Sequence, residues 1–179
     1  MKSSYINKDL DYGEIIKTIC YLIQPKLIIE FGILEGYSLD KFIENTNNNT
    51  IIKAYDIFDK FNGNHANFLN LIKKYKNFEN VEIIEKNFYE YERIPNNIDI
   101  LHIDIANDKT VYDYAIKNYL PKLSNSGVII LEGGSKERDE VYWMNKYNKD
   151  KINPYLKNLN VKIIGKNPSM TIIRKKFKE

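Results

Sequence analysis

The stretch Ile28-Ile-Glu-Phe-Gly-Ile-Leu-Glu-Gly-Tyr-Ser38 decides how the rest of the chain is read. Leu27 to Phe31 is a short apolar run, the pattern of a strand buried on both faces. Gly32 and Gly36 interrupt it, and Tyr37 to Glu44 then carries Leu39, Phe42 and Ile43 at helical spacing. Two glycines between a strand and a helix let the backbone approach a ligand closely. The helix that follows offers free N–H groups and a positive dipole end to a carboxylate or phosphate. Glu30 at the strand end is unfavourable to a pyrophosphate but suits an ammonium group. A ligand with both an amine and a carboxylate fits this mixture. A tight turn that binds nothing fits the glycine spacing equally well.

Working outward, residues 9 to 24 place Leu10, Ile15, Ile16, Ile19, Cys20 and Ile23 on one helical face, and Pro25 ends that helix. Towards the C-terminus, strands are expected at Thr50 to Ile57, Val81 to Ile84, Ile98 to Ile105 and Gly127 to Leu131. Helices are expected at Asn64 to Lys76, Val111 to Leu123 and Glu137 to Lys149. Two consecutive strands follow, Val161 to Ile164 and Met170 to Ile173, joined by a Gly- and Pro-containing turn at Gly165 to Ser169. Strands alternating with helices give an α/β fold with a mostly parallel sheet and right-handed crossovers. The closing hairpin forces one antiparallel strand. No linker, repeat or shift of composition divides the chain. Residues 1–179 therefore read as one domain, with an N-terminal helix at about 9–24 and a core at about 27–174.

Composition narrows the function. The 179 residues include one cysteine, so no internal disulfide can form. Ile, Lys and Asn number 28, 24 and 23, a bias towards A/T-rich codons that makes any single Lys or Asn uninformative. Only three arginines are present, and 27 cations nearly balance 24 anions. Nucleic-acid binding is therefore not expected, because Arg is the usual fork for phosphates and base edges. No apolar run reaches the ~18 residues of a membrane span. The start, Met-Lys-Ser-Ser-Tyr-Ile-Asn, lacks the apolar core of a signal peptide. A cytoplasmic domain without a membrane partner is the expectation.

In open α/β sheets ligands sit beyond the carboxyl ends of the strands, where strand order reverses. The residues just after each strand are therefore the candidates. Asp56, 24 residues after Gly32, is placed to accept hydrogen bonds from ribose hydroxyls. Ile57 and Phe58 could cover the face of an adenine ring, and Asn87 with Phe88 could meet its edge. Asp104 ends an apolar strand and needs a partner there, since burying a lone carboxylate is costly. An ammonium, a sulfonium, a metal or a substrate hydroxyl would serve. His102 shares its strand face with Asp104 by the period of two. Glu132, followed by Gly133 and Gly134, stands at the mouth of the site. Trp143 reads as packing or as a wall for a substrate.

Glu-x-Gly-x-x-x-Gly-Tyr-Ser at 30–38, the acid at 56, His-Ile-Asp at 102–104 and the terminal hairpin together resemble class I S-adenosylmethionine-dependent methyltransferases. The likeness runs from about residue 9 to 174. It implies a Rossmann-like seven-stranded sheet of order 3-2-1-4-5-7-6 with strand 7 antiparallel. The Gly-Tyr-Ser form resembles small-molecule O-methyltransferases. The stretch from His102 through Tyr119-Leu-Pro-Lys-Leu-Ser-Asn-Ser-Gly127 resembles the macrocin O-methyltransferase group and methyltransferases linked to surface polysaccharides. The resemblance implies that Glu30, Gly32, Gly36 and Ser38 hold the methionine part of S-adenosyl-L-methionine, with Phe31 and Tyr37 also among the cofactor-binding residues. It further implies that Asp56 binds the ribose and that Asn87 and Phe88 flank the adenine; Ile57, Phe58 and Asp104 complete the expected cofactor-binding residues.

Metal-dependent relatives carry paired Asp residues after strand 5, where this chain reads Glu132-Gly133-Gly134. The preferred reading has no metal. A magnesium site, if present, would use Asp104, Asp108 and Glu132, all hard oxygen ligands, although Asp108 also suits a helix cap. For catalysis the candidates are Asp104, then Glu132, then His102, acting on the hydroxyl of a small polar, sugar-like acceptor. Two rivals stand beside this reading: a NAD- or nucleotide-binding oxidoreductase, and a non-catalytic protein that keeps the fold. With no long insertion to form a lid, the N-terminal helix, the 59–65 loop or a second subunit of a homo-oligomer would have to cover the substrate.

Overall fold

Residues 11–60 and 65–175 are described by the structure, a computed structural model. Seven strands, β1 (Leu27–Phe31), β2 (Ile51–Asp56), β3 (Val81–Glu85), β4 (Ile98–Ile103), β5 (Leu123–Glu132), β6 (Val161–Gly165) and β7 (Ser169–Arg174), form one sheet. Its order is β3-β2-β1-β4-β5-β7-β6. Pairing is parallel from β3 through β5, while β7 runs antiparallel to both β5 and β6. The chain leaves β1 for β2 on one side and later returns to β4 on the other. The crevice where strand order reverses therefore opens between the ends of β1 and β4.

The period of two along each central strand separates two cores. Ile28, Ile52, Ala54, Ile100 and Ile130 face α1 (Tyr12–Ile23), α2 (Tyr37–Glu44) and α3 (Phe68–Tyr75). Ile29, Phe31, Leu101, Ile103, Ile129 and Leu131 face α4 (Lys109–Tyr114) and the residues after it. Burial on both faces is why these strands read as unbroken apolar runs rather than as alternating patterns. Three short helices complete the chain: α5 (Lys136–Asp139), α6 (Tyr142–Lys146) and α7 (Ile152–Leu156). Among the described residues no helix is long and apolar enough to cross a membrane.

Element bounds depart from the sequence reading most at the helices, and α7 was not expected. The helix expected from Val111 to Leu123 is α4, a π turn at Ala115–Tyr119 and a 3-10 turn at Leu120–Lys122, and β5 begins at Leu123 rather than Gly127. Asp108 starts α4 earlier than expected by accepting the Val111 N–H at 3.1 Å. The helix expected over Glu137 to Lys149 is split at Val141, whose backbone is extended at ψ 150°, into α5 and α6. Its first turn uses its polar side chains inward, with Arg138 and Asp139 both buried. The first helix starts at Tyr12, capped by the Asp11 carboxylate on the Gly13 N–H at 2.8 Å. The expected start at residues 9–10 lies outside the described residues, as do 61–64 of the 59–65 loop and residue 64 of the third expected helix, which begins at Phe68.

Candidate functional site

An open cleft of about 1030 Å³ lies beyond the carboxyl ends of β1 to β4. Gly32 makes its floor possible. The Gly32 N–H donates to the Tyr55 carbonyl and the Asp104 N–H to the Phe31 carbonyl, each at 2.9 Å, so three strand ends are drawn together. At φ +89°, a Cβ on residue 32 would stand 2.0 Å from the Asp104 carbonyl oxygen. Gly36, at φ +85°, begins α2 with no side-chain cap. A Cβ there would strike the Tyr75 hydroxyl. Gly36 itself does not line the cleft; it clears room for Tyr75, which donates to the Gly36 carbonyl at 3.1 Å.

Of the residues expected to hold a cofactor, Phe31, Gly32, Tyr37, Ser38, Asp56, Ile57, Asn87, Phe88 and Asp104 line this one cleft. Both Asp56 oxygens accept backbone amides, Oδ2 from Ile33 at 2.8 Å and Oδ1 from Phe58 at 2.9 Å. Those bonds fix the carboxylate at the cleft wall. The Phe31 ring stacks on Tyr55 at 5.1 Å and meets the edge of Phe88 at 5.3 Å, so an aromatic wall adjoins Asp56. Asn87 holds its own turn, its Oδ1 accepting the Tyr89 N–H at 3.0 Å.

Phe58 corrects the expectation. It turns into the core at φ +51°, buried against Phe68 at 5.0 Å, and does not line the cleft. Glu30 is likewise behind the wall, fully buried. Its Oε1 accepts from the Ser38 hydroxyl and lies 2.9 Å from His102 Nδ1, while Oε2 has no hydrogen-bond partner. His102 is packed under the Phe42 ring with no exposed surface. His102, expected as the third catalytic candidate, is thus enclosed beside Glu30 and does not line the cleft.

Asp104 is the carboxylate that reaches the cleft from β4. Burial pushes its pKa up to about 7, reinforced by the Glu132 and Glu30 carboxylates and opposed by His102 and Arg138. Glu132 does not line the cleft. Both its oxygens are held by Arg138, at 2.5 Å from Nε and 2.7 Å from Nη2. Glu132, expected as the second catalytic candidate, is thus placed in an ion pair behind the cleft rather than on its lining. Asp108 caps α4 through Oδ1 and pairs with Lys149 through Oδ2 at 3.2 Å. Asp104, Asp108 and Glu132 are therefore not assembled as a magnesium ligand set, and no group of three such side chains is, among the described residues.

Several contributors were not found from sequence. Tyr55, Tyr89, Lys86 and Lys149 line the cleft, and Asn107 and Arg138 stand behind it. Lys and Asn were too common to be noticed. Arg138 could have been, as one of only three arginines. Trp143 packs its ring on the Arg138 guanidinium at 5.0 Å rather than facing the cleft. The cleft carries five acids (Glu35, Asp40, Asp56, Asp104 and Asp108) against three lysines (Lys74, Lys86 and Lys149), so its lining favours a cationic ligand.

No protein-family model matches the chain, and no curated protein matches its sequence. Solved structures do share its fold. A SAH-bound methyltransferase from Podospora anserina is 20% identical with a TM-score of 0.65, the match covering 92% of this chain and 78% of that one. A SAM-dependent O-methyltransferase from Thermotoga maritima is 12% identical with a TM-score of 0.66, covering 99% of this chain and 69% of that one. A methyltransferase from Geobacter sulfurreducens is 13% identical with a TM-score of 0.61, covering 94% and 79%. The seven-stranded arrangement expected from the sequence is thus the Rossmann-like methyltransferase fold.

Proposed function

We propose that the chain is an S-adenosyl-L-methionine-dependent O-methyltransferase acting on a small polar, sugar-like acceptor. The observation that carries this reading is one cleft at the β1–β4 switch point that combines Asp56, an aromatic wall, an uncapped helix start and an excess of acids. A pyrophosphate-bearing dinucleotide would meet five acids against three lysines, two of them paired with Asp40 and Asp108, and Glu30 behind them, which disfavours the oxidoreductase alternative. The residues fit the cofactor. Asp56 suits its ribose, Phe31 and Phe88 its adenine, and the free amides that open α2 its carboxylate. When bound, that cofactor supplies a methyl group on a cationic sulfur.

The chain's own residues then have two tasks. The cleft must align an acceptor oxygen and exclude water. Asp104 must receive the proton that the hydroxyl loses as its oxygen gains a methyl carbon. A carboxyl with a pKa raised to about 7 is well matched to that task near neutral pH. Support for a sugar-like acceptor is the sequence resemblance to the macrocin and polysaccharide-associated groups. The deciding measurement is calorimetry of the protein with S-adenosylmethionine, S-adenosylhomocysteine and NAD. Binding of the first two and not the third is expected. Label transfer from the methyl donor to a panel of glycosides, with an RNA oligonucleotide as a comparison, then tests the acceptor class. Binding of NAD alone would overturn the proposal.

A further inference from the structure

The turn between β1 and α2 is braced from a distant part of the chain. Its backbone passes through three positive φ angles, +89° at Gly32, +50° at Leu34 and +85° at Gly36. Within the turn the Gly36 N–H donates to the Ile33 carbonyl at 2.8 Å. No side chain caps α2, and helical bonding begins with the Asp40 N–H on the Gly36 carbonyl at 2.9 Å. The amides of Tyr37, Ser38 and Leu39 therefore have no acceptor within the helix.

The brace comes from the last two residues of α3. Lys74 Nζ donates to the Glu35 carbonyl at 3.1 Å and to Asp40 Oδ2 at 2.7 Å. The Tyr75 hydroxyl lies 3.1 Å from the Gly36 carbonyl and 2.9 Å from Asp40 Oδ1, its one proton shared between them. The Lys74 ammonium also rests over the Tyr75 ring, 4.9 Å from its centre. Two consecutive carbonyls of the turn are thus gripped together with the acid in the first turn of α2. The Gly36 carbonyl and the Tyr37 N–H belong to one planar peptide unit and point in opposite directions. Holding that carbonyl aims that amide. Tyr75 is buried and does not line the cleft, whereas Leu34, Glu35, Tyr37 and Ser38 do. Any effect of its hydroxyl on a ligand must pass through the turn.

We propose that Tyr75 is a positioning residue for the amino-acid end of the cofactor: together with Lys74 it fixes the Glu35 and Gly36 carbonyls, and with them the direction of the amides that open α2. The proposal rests on the methyltransferase reading, in which those amides receive the cofactor's carboxylate. A contact that merely joined α3 to α2 would alter stability and leave ligand choice alone. A positioning contact alters the binding of one end of the ligand selectively.

The experiment compares S-adenosylhomocysteine with 5′-methylthioadenosine, which keeps the adenosine and the thioether but lacks the amino-acid arm. Tyr75→Phe removes the hydroxyl and keeps the ring. By calorimetry it should weaken S-adenosylhomocysteine about 3- to 10-fold, the worth of one hydrogen bond, and 5′-methylthioadenosine by less than about 2-fold. In the ligand-free protein, amide hydrogen exchange across residues 33–39 should be faster in Tyr75→Phe and in Lys74→Met than in the wild type. Should Tyr75→Phe fail to fold, Lys74→Met decides by the same exchange and the same split of affinities. Equal weakening of the two ligands, no weakening, or unchanged exchange overturns the proposal while leaving cofactor binding intact. Failure of the wild type to bind S-adenosylhomocysteine would instead overturn the reading beneath it.

Discussion

Gly32 is held at φ +89° with the Asp104 carbonyl where its side chain would begin. Gly32→Ala therefore costs about 1–3 kcal/mol from the left-handed backbone alone, and the collision adds to it. A clear fall in the urea midpoint, with weakened S-adenosylmethionine binding, is expected. An unchanged midpoint would mean the end of β4 can retreat. Asp104 makes a second prediction at this scale. Its pKa is raised from near 4 in the unfolded chain to about 7 in the folded one. Between these values the folded state holds the extra proton, so Asp104's contribution to stability is greatest below about pH 4 and is lost as pH rises through about 7. Comparing urea unfolding of the wild type and Asp104→Asn across that window checks it: the variant should lose this part of the slope. These two residues were also legible in the sequence, because a rare glycine and an acid ending an apolar run stand out from an Ile-, Lys- and Asn-rich background. Glu132 stands out for the same reason, but its partner Arg138 sits six residues on, where no periodicity marks it.

Elements reveal the same division. The hydrophobic period placed all seven strands, because each central strand is apolar on both faces and cannot be mistaken for a surface segment. It failed between residues 136 and 156, where polar side chains rather than apolar stripes set the structure. Asp139 shows how. It accepts the Ile152 N–H at 2.9 Å and the Asn153 N–H at 2.7 Å, the first two amides of α7. A carboxylate from one short helix caps another at a distance in sequence that no local capping rule detects. Asp139→Ala should cost about 1–2 kcal/mol and lower the Tm by roughly 2–8 °C for a chain of this length. Differential scanning calorimetry measures that change. An unaltered Tm would show that α7 is held by Ile152 and Leu156 burial alone.

For the molecule as a whole, ligand binding and folding are linked. The cleft is built from the ends of four strands, and a ligand that fills it binds the folded state only. At a concentration 100-fold above its Kd, such a ligand adds about 2.7 kcal/mol of stability, a Tm rise of roughly 5–10 °C. S-adenosylhomocysteine should produce this rise and NAD should not. Equal shifts with both would point to a site that reads only the shared adenosine.

The sequence by itself determined the succession of the seven strands and the strand ends that line the cleft. Those features depend on local periodicity and on a few residue types that local backbone geometry requires. Only the tertiary structure decided which acids stay available. Asp104 meets the cleft, Glu132 is claimed by Arg138, Asp108 by a helix cap and Lys149, and His102 by Glu30 and Phe42. The physical reason is that a carboxylate's role is set by its partners. Those partners, such as Glu30 for His102, arrive from elements that are distant in sequence and adjacent only once the sheet has formed.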